Sequence, residues 1–140
     1  MKHSLATFSL LAALFAFGPA HAQADLEAGF VTPSGNIACL YSNDDGKSSL
    51  RCDVDELAVT PPRPAACKFE WGHAFEMDAT GTAGPICTED HAADPGLQDL
   101  AYGKTWQQGG FTCRSERSGL TCVNAVQHGF SLSHAAQRLF

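Results

Sequence analysis

The stretch that decides the fold is residues 35–55, GNIACLYSNDDGKSSLRCDVD. Two runs that alternate apolar and polar side chains flank a polar centre, Asp44-Asp45-Gly46-Lys47. Alternation with a period of two is typical of a half-buried strand, and Asp-Gly between two such runs indicates a hairpin. We therefore predict strands at 36–42 and 49–55, with Asp44–Lys47 as the connecting loop.

Placing Cys39 opposite Cys52 sets the register of this hairpin. Tyr41 then faces Leu50, and side chains on one face of the hairpin are apolar, whereas charged side chains point to the other face. Both sulfur atoms lie on the apolar face. The register therefore predicts a cross-strand disulfide between these two cysteines.

Residues 110–122, GFTCRSERSGLTC, repeat the same design. Both stretches end in Leu-x-Cys, and both have a polar turn containing glycine between two short strands. With Cys113 opposite Cys122, the side chains of Phe111 and Leu120 share the face that carries the sulfur atoms. Two separate stretches that give the same register predict a second cross-strand disulfide, Cys113–Cys122.

The other two cysteines, Cys67 and Cys87, then pair by elimination. An even count of 6 cysteines in a small exported chain is typical of a disulfide framework. A zinc site is disfavoured because zinc-binding cysteines usually come in close pairs, and these cysteines are widely spaced. We expect no metal and no other cofactor.

Residues 1–22 have the organisation of a secretory signal. Lys2 precedes an apolar run from Leu5 to Phe17, and Ala20-His21-Ala22 forms a small-x-small cleavage site. The apolar run is too short to span a bilayer, and no later segment is long and apolar enough. We predict that the signal is removed, leaving one disulfide-rich domain at 23–140, located in the periplasm or secreted.

The charge balance of the chain disfavours some partners. The chain has 9 Lys+Arg against 15 Asp+Glu, a formal net charge of −6. Nucleic-acid binding needs a basic face that displaces counterions, so we expect no nucleic-acid partner. The 13 glycines and 7 prolines suit a turn-rich chain. The predicted fold class is mainly β: a small disulfide-stapled antiparallel β domain with two related hairpins and long loops.

Three predictions concern the parts of the chain outside the hairpins. Residues 23–29 are expected to be a polar leader. Residues 128–133 are expected to form a strand that pairs with 120–124, and the tail Ala135–Phe140 is expected to form a short helical turn.

The order of spaced motifs resembles an uncharacterised family of small exported bacterial proteins that carry a domain of unknown function. The resemblance covers roughly residues 30–140 and implies a compartment and an architecture but no known activity. The motifs that carry it are Pro33-Ser34-Gly35-Asn36-Ile37-Ala38-Cys39, Leu50-Arg51-Cys52-Asp53, Pro64 to Cys67, Trp71-Gly72, Tyr102-Gly103, Trp106, Gly109 to Cys113, Gly119 to Cys122, Asn124, His128-Gly129-Phe130 and Leu132-Ser133.

Four residues are candidates for a binding site. His128, in the spacing Asn124-x-x-x-His128, has a side chain that can act as a base or a ligand, although a turn residue bonded to backbone is the more common role. Trp106 and Tyr102 can form an aromatic platform for sugars, although packing in the core is more common for such side chains. The residues considered for a metal site, and then set aside, are His73, Asp90, His91 and Asp94.

The function expected from these features is a non-catalytic binding or inhibitory module whose partner is an extracytoplasmic protein or a glycan. One alternative is a small extracytoplasmic hydrolase that uses His128 with an acidic partner such as Asp90. A second alternative is a structural component of the envelope that has no ligand. The sequence contains no Gly-x-Ser-x-Gly motif, and disulfides are expected to consume all thiols, so no catalytic residue is assigned.

Overall fold

The computed structural model describes residues 29–92 and 96–140, which form ten strands in two antiparallel five-stranded sheets. The predicted signal lies outside the described residues. The N-terminal sheet has its strands in chain order: β1 (Gly29–Val31), β2 (Ile37–Asp44), β3 (Lys47–Val54), β4 (Glu70–Asp78) and β5 (Gly84–Thr88). The C-terminal sheet has the order β10-β9-β8-β7-β6: β6 (Thr105–Gln108), β7 (Phe111–Glu116), β8 (Gly119–Val123), β9 (Gly129–Leu132) and β10 (Gln137–Leu139).

The predicted mainly β fold class is confirmed. The part of the chain that the structure describes contains no helix, and therefore none that could cross a membrane. Both hairpin registers are also as predicted: Cys39 lies opposite Cys52, and Cys113 lies opposite Cys122.

The first hairpin has a shorter connection than the sequence pattern suggested. Its strands continue to Asp44 and Lys47, so that only Asp45 and Gly46 remain as the turn. Both residues have positive φ, 50° and 82°. These are the signs that a type I′ turn requires, and its twist matches that of the two strands, so the pairing extends to the last residue on each side.

Two disulfides lie at the centre of the molecule. All four cysteines of the two hairpins are fully buried, and the sulfur atoms of Cys39, Cys52 and Cys122 lie within 4.8 Å of one another. The two cross-strand disulfides, Cys39–Cys52 and Cys113–Cys122, therefore face each other where the sheets pack together. The third, Cys67–Cys87, joins the segment before β4 to β5.

Aromatic side chains fill the rest of the space between the sheets. Phe30 of β1 contacts Trp106 of β6, with ring centroids 5.3 Å apart. Phe75 of β4 and Phe130 of β9 have centroids 6.3 Å apart. Each pair joins one sheet to the other. Phe30, Phe75 and Phe130 are fully buried. One apolar cluster therefore serves both sheets.

Among the predictions for the outer segments, the one for the tail is wrong, and the one for residues 23–29 is wrong at Gly29, while residues 23–28 lie outside the described residues. Gly29 is not part of a polar leader, because it is the first residue of β1 and pairs with Leu40. The tail does not form a helical turn: its last residues form β10, and Phe140 exchanges two backbone hydrogen bonds with Gly129 (2.8 and 3.1 Å). Pairing with an exposed strand edge outweighs the weak helix preference of Ala, Gln, Arg and Leu.

The two ends of the sandwich differ. One end contains the β2–β3 and β4–β5 turns of the N-terminal sheet and residues 124–128 of the C-terminal sheet. The other end contains residues 32–36, which connect β1 to β2, together with the β7–β8 and β9–β10 turns. A backbone hydrogen bond of 2.8 Å from Ala58 to His134 joins the sheets at this second end. We call it the groove end.

Candidate functional site

Asn124 is 1 % exposed and is fully hydrogen-bonded. Its Nδ2 donates to the backbone carbonyl oxygens of Asp78 (2.9 Å), the last residue of β4, and Gly81 (2.7 Å), in the β4–β5 turn of the other sheet. Its Oδ1 accepts from the backbone N–H groups of Val126 and His128, both at 3.1 Å. These four bonds use the full capacity of an amide side chain, so Asn124 joins the sheets and has nothing left for a ligand.

His128 lies in the turn that Asn124 organises. Its backbone N–H donates to the Asn124 side chain, and its carbonyl oxygen accepts from the Asn124 N–H at 2.9 Å. The imidazole is half-buried, and it has no hydrogen-bond or ion-pair partner within residues 29–92 and 96–140. The described part of the chain therefore provides this histidine with no acidic partner.

The two aromatic candidates are separated. Trp106 is 4 % exposed and packs on Phe30, and Tyr41 lies near it with ring centroids 6.4 Å apart, so the indole offers no platform on the surface. The reason is the strand alternation, which turns Trp106 to the same side as the disulfide of β7. Tyr102 precedes β6 and is half-buried at the groove end, with the Arg117 guanidinium 5.0 Å from its ring centroid.

A groove of about 610 Å³ lies between the sheets at the groove end. It is formed by turns from both sheets, and Tyr102 is the only one of the four predicted residues that lines it. This volume falls in the range of small-molecule sites in proteins. The other side chains that give the groove its chemistry are Ser34, Asn36, Asp55, Glu56, Glu116, Arg117, Ser118, Ser133 and His134.

One side of the groove is acidic, whereas the other presents Arg117 and His134 together with Glu116, whose carboxylate pairs with Arg114. Asp55 and Glu56 follow β3 of the N-terminal sheet, and Arg117 and His134 lie in turns of the C-terminal sheet. The side chain of Asn36 fixes the acidic side: its Nδ2 donates to the Glu56 carbonyl oxygen, and its Oδ1 accepts from the Glu56 N–H at 2.8 Å. The arrangement can hold a polar ligand that carries charges of both signs.

Asp90 is held by a network on the outer side of the N-terminal sheet. Arg51 donates to the Asp90 carboxylate from Nη1 at 2.8 Å and to both oxygens of Asp53, at 2.8 and 2.9 Å. The Thr88 hydroxyl and then Arg51 lower the pKa of Asp90 to about 2. The second oxygen of Asp53 accepts from the Ala92 N–H at 2.6 Å. Asp90 is therefore an anion whose bonds to Arg51 hold the segment after β5 against β3.

The residues considered for a metal site do not form one in the described part of the chain. Nδ1 of His73 bonds the Val54 carbonyl oxygen at 3.0 Å, Asp90 is paired with Arg51, and Asp94 lies outside the described residues. The one described group of potential ligand atoms close to one another is Cys39, Cys52 and Cys122, and these sulfur atoms are all in disulfides.

Most of the groove could not be predicted from the sequence. Arg117 belongs to a polar turn that the second hairpin pattern indicates, but the partners across the groove come from segments far away in the chain. The only available signal is that turns at the same end of a sandwich cluster together, and using it requires knowing how the two sheets pack.

Together, the fold and the groove define a small all-β protein that is stapled by three disulfides and has a polar cleft between its turns. The chain belongs to a family of unknown function, DUF6636, whose family model matches residues 8–140. This membership confirms the resemblance to a domain of unknown function. No curated protein and no solved structure matches the chain significantly.

Proposed function

We propose that the protein is an exported, non-catalytic binding module that holds a small polar ligand in the groove. The observation that carries this proposal is a cleft of about 610 Å³ that is lined by Asp55 and Glu56 on one side and by Arg117 and His134, with Glu116, on the other. Ligands that present both an ammonium and a carboxylate group, such as short peptides, complement these two sides. The half-buried ring of Tyr102 supplies an apolar surface next to the charged groups.

The scaffold supports a binding role because the residues around the groove are held in place. Asn36 ties the residues after β3 to the β1–β2 connection, and the Arg117 guanidinium lies over Tyr102. Thr32 is 4 % exposed, and its side chain bonds the backbone of Ile37 in both directions, at 3.2 and 3.3 Å. A preformed cleft loses little conformational entropy when it binds.

Export to the periplasm or the medium is part of the proposal. The support for it is the predicted signal at residues 1–22 together with three disulfides, which persist in oxidising compartments. A purely structural envelope component would not need a ligand-sized groove. The groove therefore favours a binding role.

The hydrolase alternative has weaker support. It pairs His128 with Asp90, but His128 lies in the β8–β9 turn of the C-terminal sheet and Asp90 follows β5 of the N-terminal sheet, where it is paired with Arg51. The substitution His128→Ala separates the two ideas. A hydrolytic activity that is lost in this variant, at unchanged melting temperature, would favour the enzyme.

The groove is tested by filling it. Ala135 lines the groove and is exposed, so Ala135→Trp is expected to block the cleft without disturbing the core. The matched control is Ala125→Trp, which places the same side chain at an exposed position at the opposite end. The assay is thermal shift and calorimetry with a panel of short zwitterionic peptides.

The proposal predicts that at least one peptide binds the native protein and the Ala125→Trp control, and that Ala135→Trp abolishes this binding. If both tryptophan variants bind the peptide as the native protein does, the ligand lies elsewhere and the groove is not the site.

A further inference from the structure

The charges of the molecule are divided between its two sheets. Residues 29–92 contain 10 acidic residues against 4 Lys+Arg, whereas residues 96–140 contain 2 acidic residues against 4 Lys+Arg. The C-terminal sheet therefore carries a positive balance within a protein of negative net charge. Such a molecule orients with the C-terminal sheet towards an anionic partner.

Side chains on the outer face of this sheet form a row that crosses all five strands. Register pairs Thr105 with Arg114, Arg114 with Thr121, Thr121 with Ser131, and Ser131 with Arg138. We call these five residues the arginine row. Their side chains point outward because the neighbouring residues along the strands, such as Trp106 and Cys113, point into the core.

The row is polar throughout and is locally ordered. The hydroxyls of Thr121 and Ser131 are hydrogen-bonded to each other at 2.9 Å in its middle. Nε of Arg114 lies 3.3 Å from a Glu116 carboxylate oxygen, an exposed contact that leaves the terminal nitrogens of the guanidinium for a ligand. The guanidinium of Arg138 lies 6.0 Å from the ring centroid of Phe140.

A hollow of about 230 Å³ lies next to the row, with Thr121, Ser131, Ser133 and Arg138 among its lining residues. Hydroxyl groups in a shallow polar hollow match the hydroxyl groups of a sugar ring. Arg114 and Arg138 lie three strands apart, roughly 14 Å. Two anionic groups on one ligand molecule can therefore contact both arginines at once, whereas a single carboxylate cannot. Guanidinium groups bind carboxylates through paired hydrogen bonds.

We propose that the arginine row binds an acidic polysaccharide whose carboxylates pair with Arg114 and Arg138. A folded protein partner fits less well because the row offers no aromatic or aliphatic side chain of the kind that forms the centre of protein interfaces. A membrane surface fits less well because the exposed apolar side chains Leu139 and Phe140 lie at one end of the row, next to Arg138, and the rest of the row is polar. This surface is separate from the groove ligand, although Ser118, Gly119 and Ser133 border both cavities.

The probe is an oligogalacturonate long enough to span the row, titrated by calorimetry at low salt into the full protein. We expect measurable binding that added salt weakens, and no measurable binding of free galacturonic acid or of a neutral dextran oligomer. The double variant Arg114→Ala, Arg138→Ala should bind at least about tenfold more weakly. The matched control, Lys47→Ala with Lys68→Ala, removes the same charge from exposed positions outside this sheet and should bind like the native protein.

A second variant, Arg114→Lys with Arg138→Lys, keeps the charge but lacks the paired donors, and it should lie between the native protein and the alanine variant. Equal binding by the native protein and the alanine variant would overturn the proposal. Binding to vesicles of anionic phospholipid without binding to the oligogalacturonate would overturn it as well and would point to a membrane. Neither result depends on the groove, whose test uses Ala135→Trp.

Discussion

The side-chain Nδ2 of Asn124 donates a hydrogen bond of 2.9 Å to the backbone carbonyl oxygen of Asp78, which lies 46 residues earlier in the chain. This bond joins the β8–β9 turn of one sheet to the β4–β5 turn of the other. Because Asn124 is almost fully buried, the carbonyl oxygens that it satisfies would lose their partner if it were removed.

Asn124→Ala is therefore expected to lower the free energy of unfolding by about 2–4 kcal/mol, since two inter-sheet bonds and two turn bonds disappear. Urea unfolding measures the change. Gln107→Ala is the control, because Gln107 is exposed and makes one bond, to Thr112, and its loss should change the free energy by no more than about 0.5 kcal/mol. Equal effects of the two substitutions would contradict a structural role for Asn124.

The second prediction concerns the turn of the first hairpin. Gly46 has φ of 82°, and a Cβ at this position would contact nothing, so the cost of Gly46→Ala is purely conformational. A left-handed conformation costs a residue with a side chain about 1–2 kcal/mol. Gly84→Ala is the matched control, since Gly84 also has open space around it but does not have a positive φ. Thermal unfolding should distinguish them, and a stable Gly46→Ala variant would argue against the type I′ turn.

The third prediction concerns how stability depends on pH through Glu76. Burial, and next the charge of Asp78, raise the pKa of Glu76, while Arg51 opposes the shift. A carboxyl with a raised pKa stabilises the fold below its ordinary pKa, and this stability is lost as the pH rises through the raised value. Glu76→Gln should therefore unfold at higher urea concentration than the native protein at neutral pH, and the difference should vanish in acid.

The exposed Glu89→Gln serves as the control for this experiment, because it removes the same charge from the segment just after β5. A lower midpoint of Glu76→Gln at neutral pH would show that the carboxylate is stabilising and that the sign is wrong.

Asp90 should titrate at unusually low pH. Its pKa of about 2 arises first from the Thr88 hydroxyl and then from Arg51. A lowered pKa means that the network contributes stability above the ordinary aspartate pKa of about 3.9 and loses it as the pH falls towards 2. Carboxyl NMR should show the low midpoint in the native protein, and Thr88→Ala should raise it. A native midpoint near the ordinary value would mean that Asp90 is not held as described.

The hairpins could be predicted from sequence because each is a local event. A turn and two alternating runs place Cys39 opposite Cys52 without any knowledge of the rest of the chain. The strand at β10 could not be predicted in this way, because its conformation depends on pairing with β9 rather than on its own residues. The groove is harder still to predict, since Arg117 and Asp55 line one groove only because the two sheets pack together.

The candidate site residues show the same difference between local features, which the sequence reveals, and contacts made by the packing of the sheets, which it does not. Tyr102 lines the groove, but its neighbours there were not foreseen. Trp106 was weighed as a platform, and its place in the core follows from the side of β6 on which it lies. Asn124 and His128 are predicted binding residues, but in the structure the Asn124 side chain and the backbone bonds between the two residues organise one turn.

Three disulfides, two of them at the contact between the sheets, hold this small protein together. In the chain-entropy picture each of the three contributes about 3 kcal/mol, so together they match the net stability of a typical domain, about 5–15 kcal/mol. The most direct test is near-UV circular dichroism of the natively purified protein before and after complete reduction at physiological temperature. The signal of the buried aromatic side chains is expected to disappear on reduction, and a reduced protein that keeps this signal would contradict the stabilising role of the disulfides.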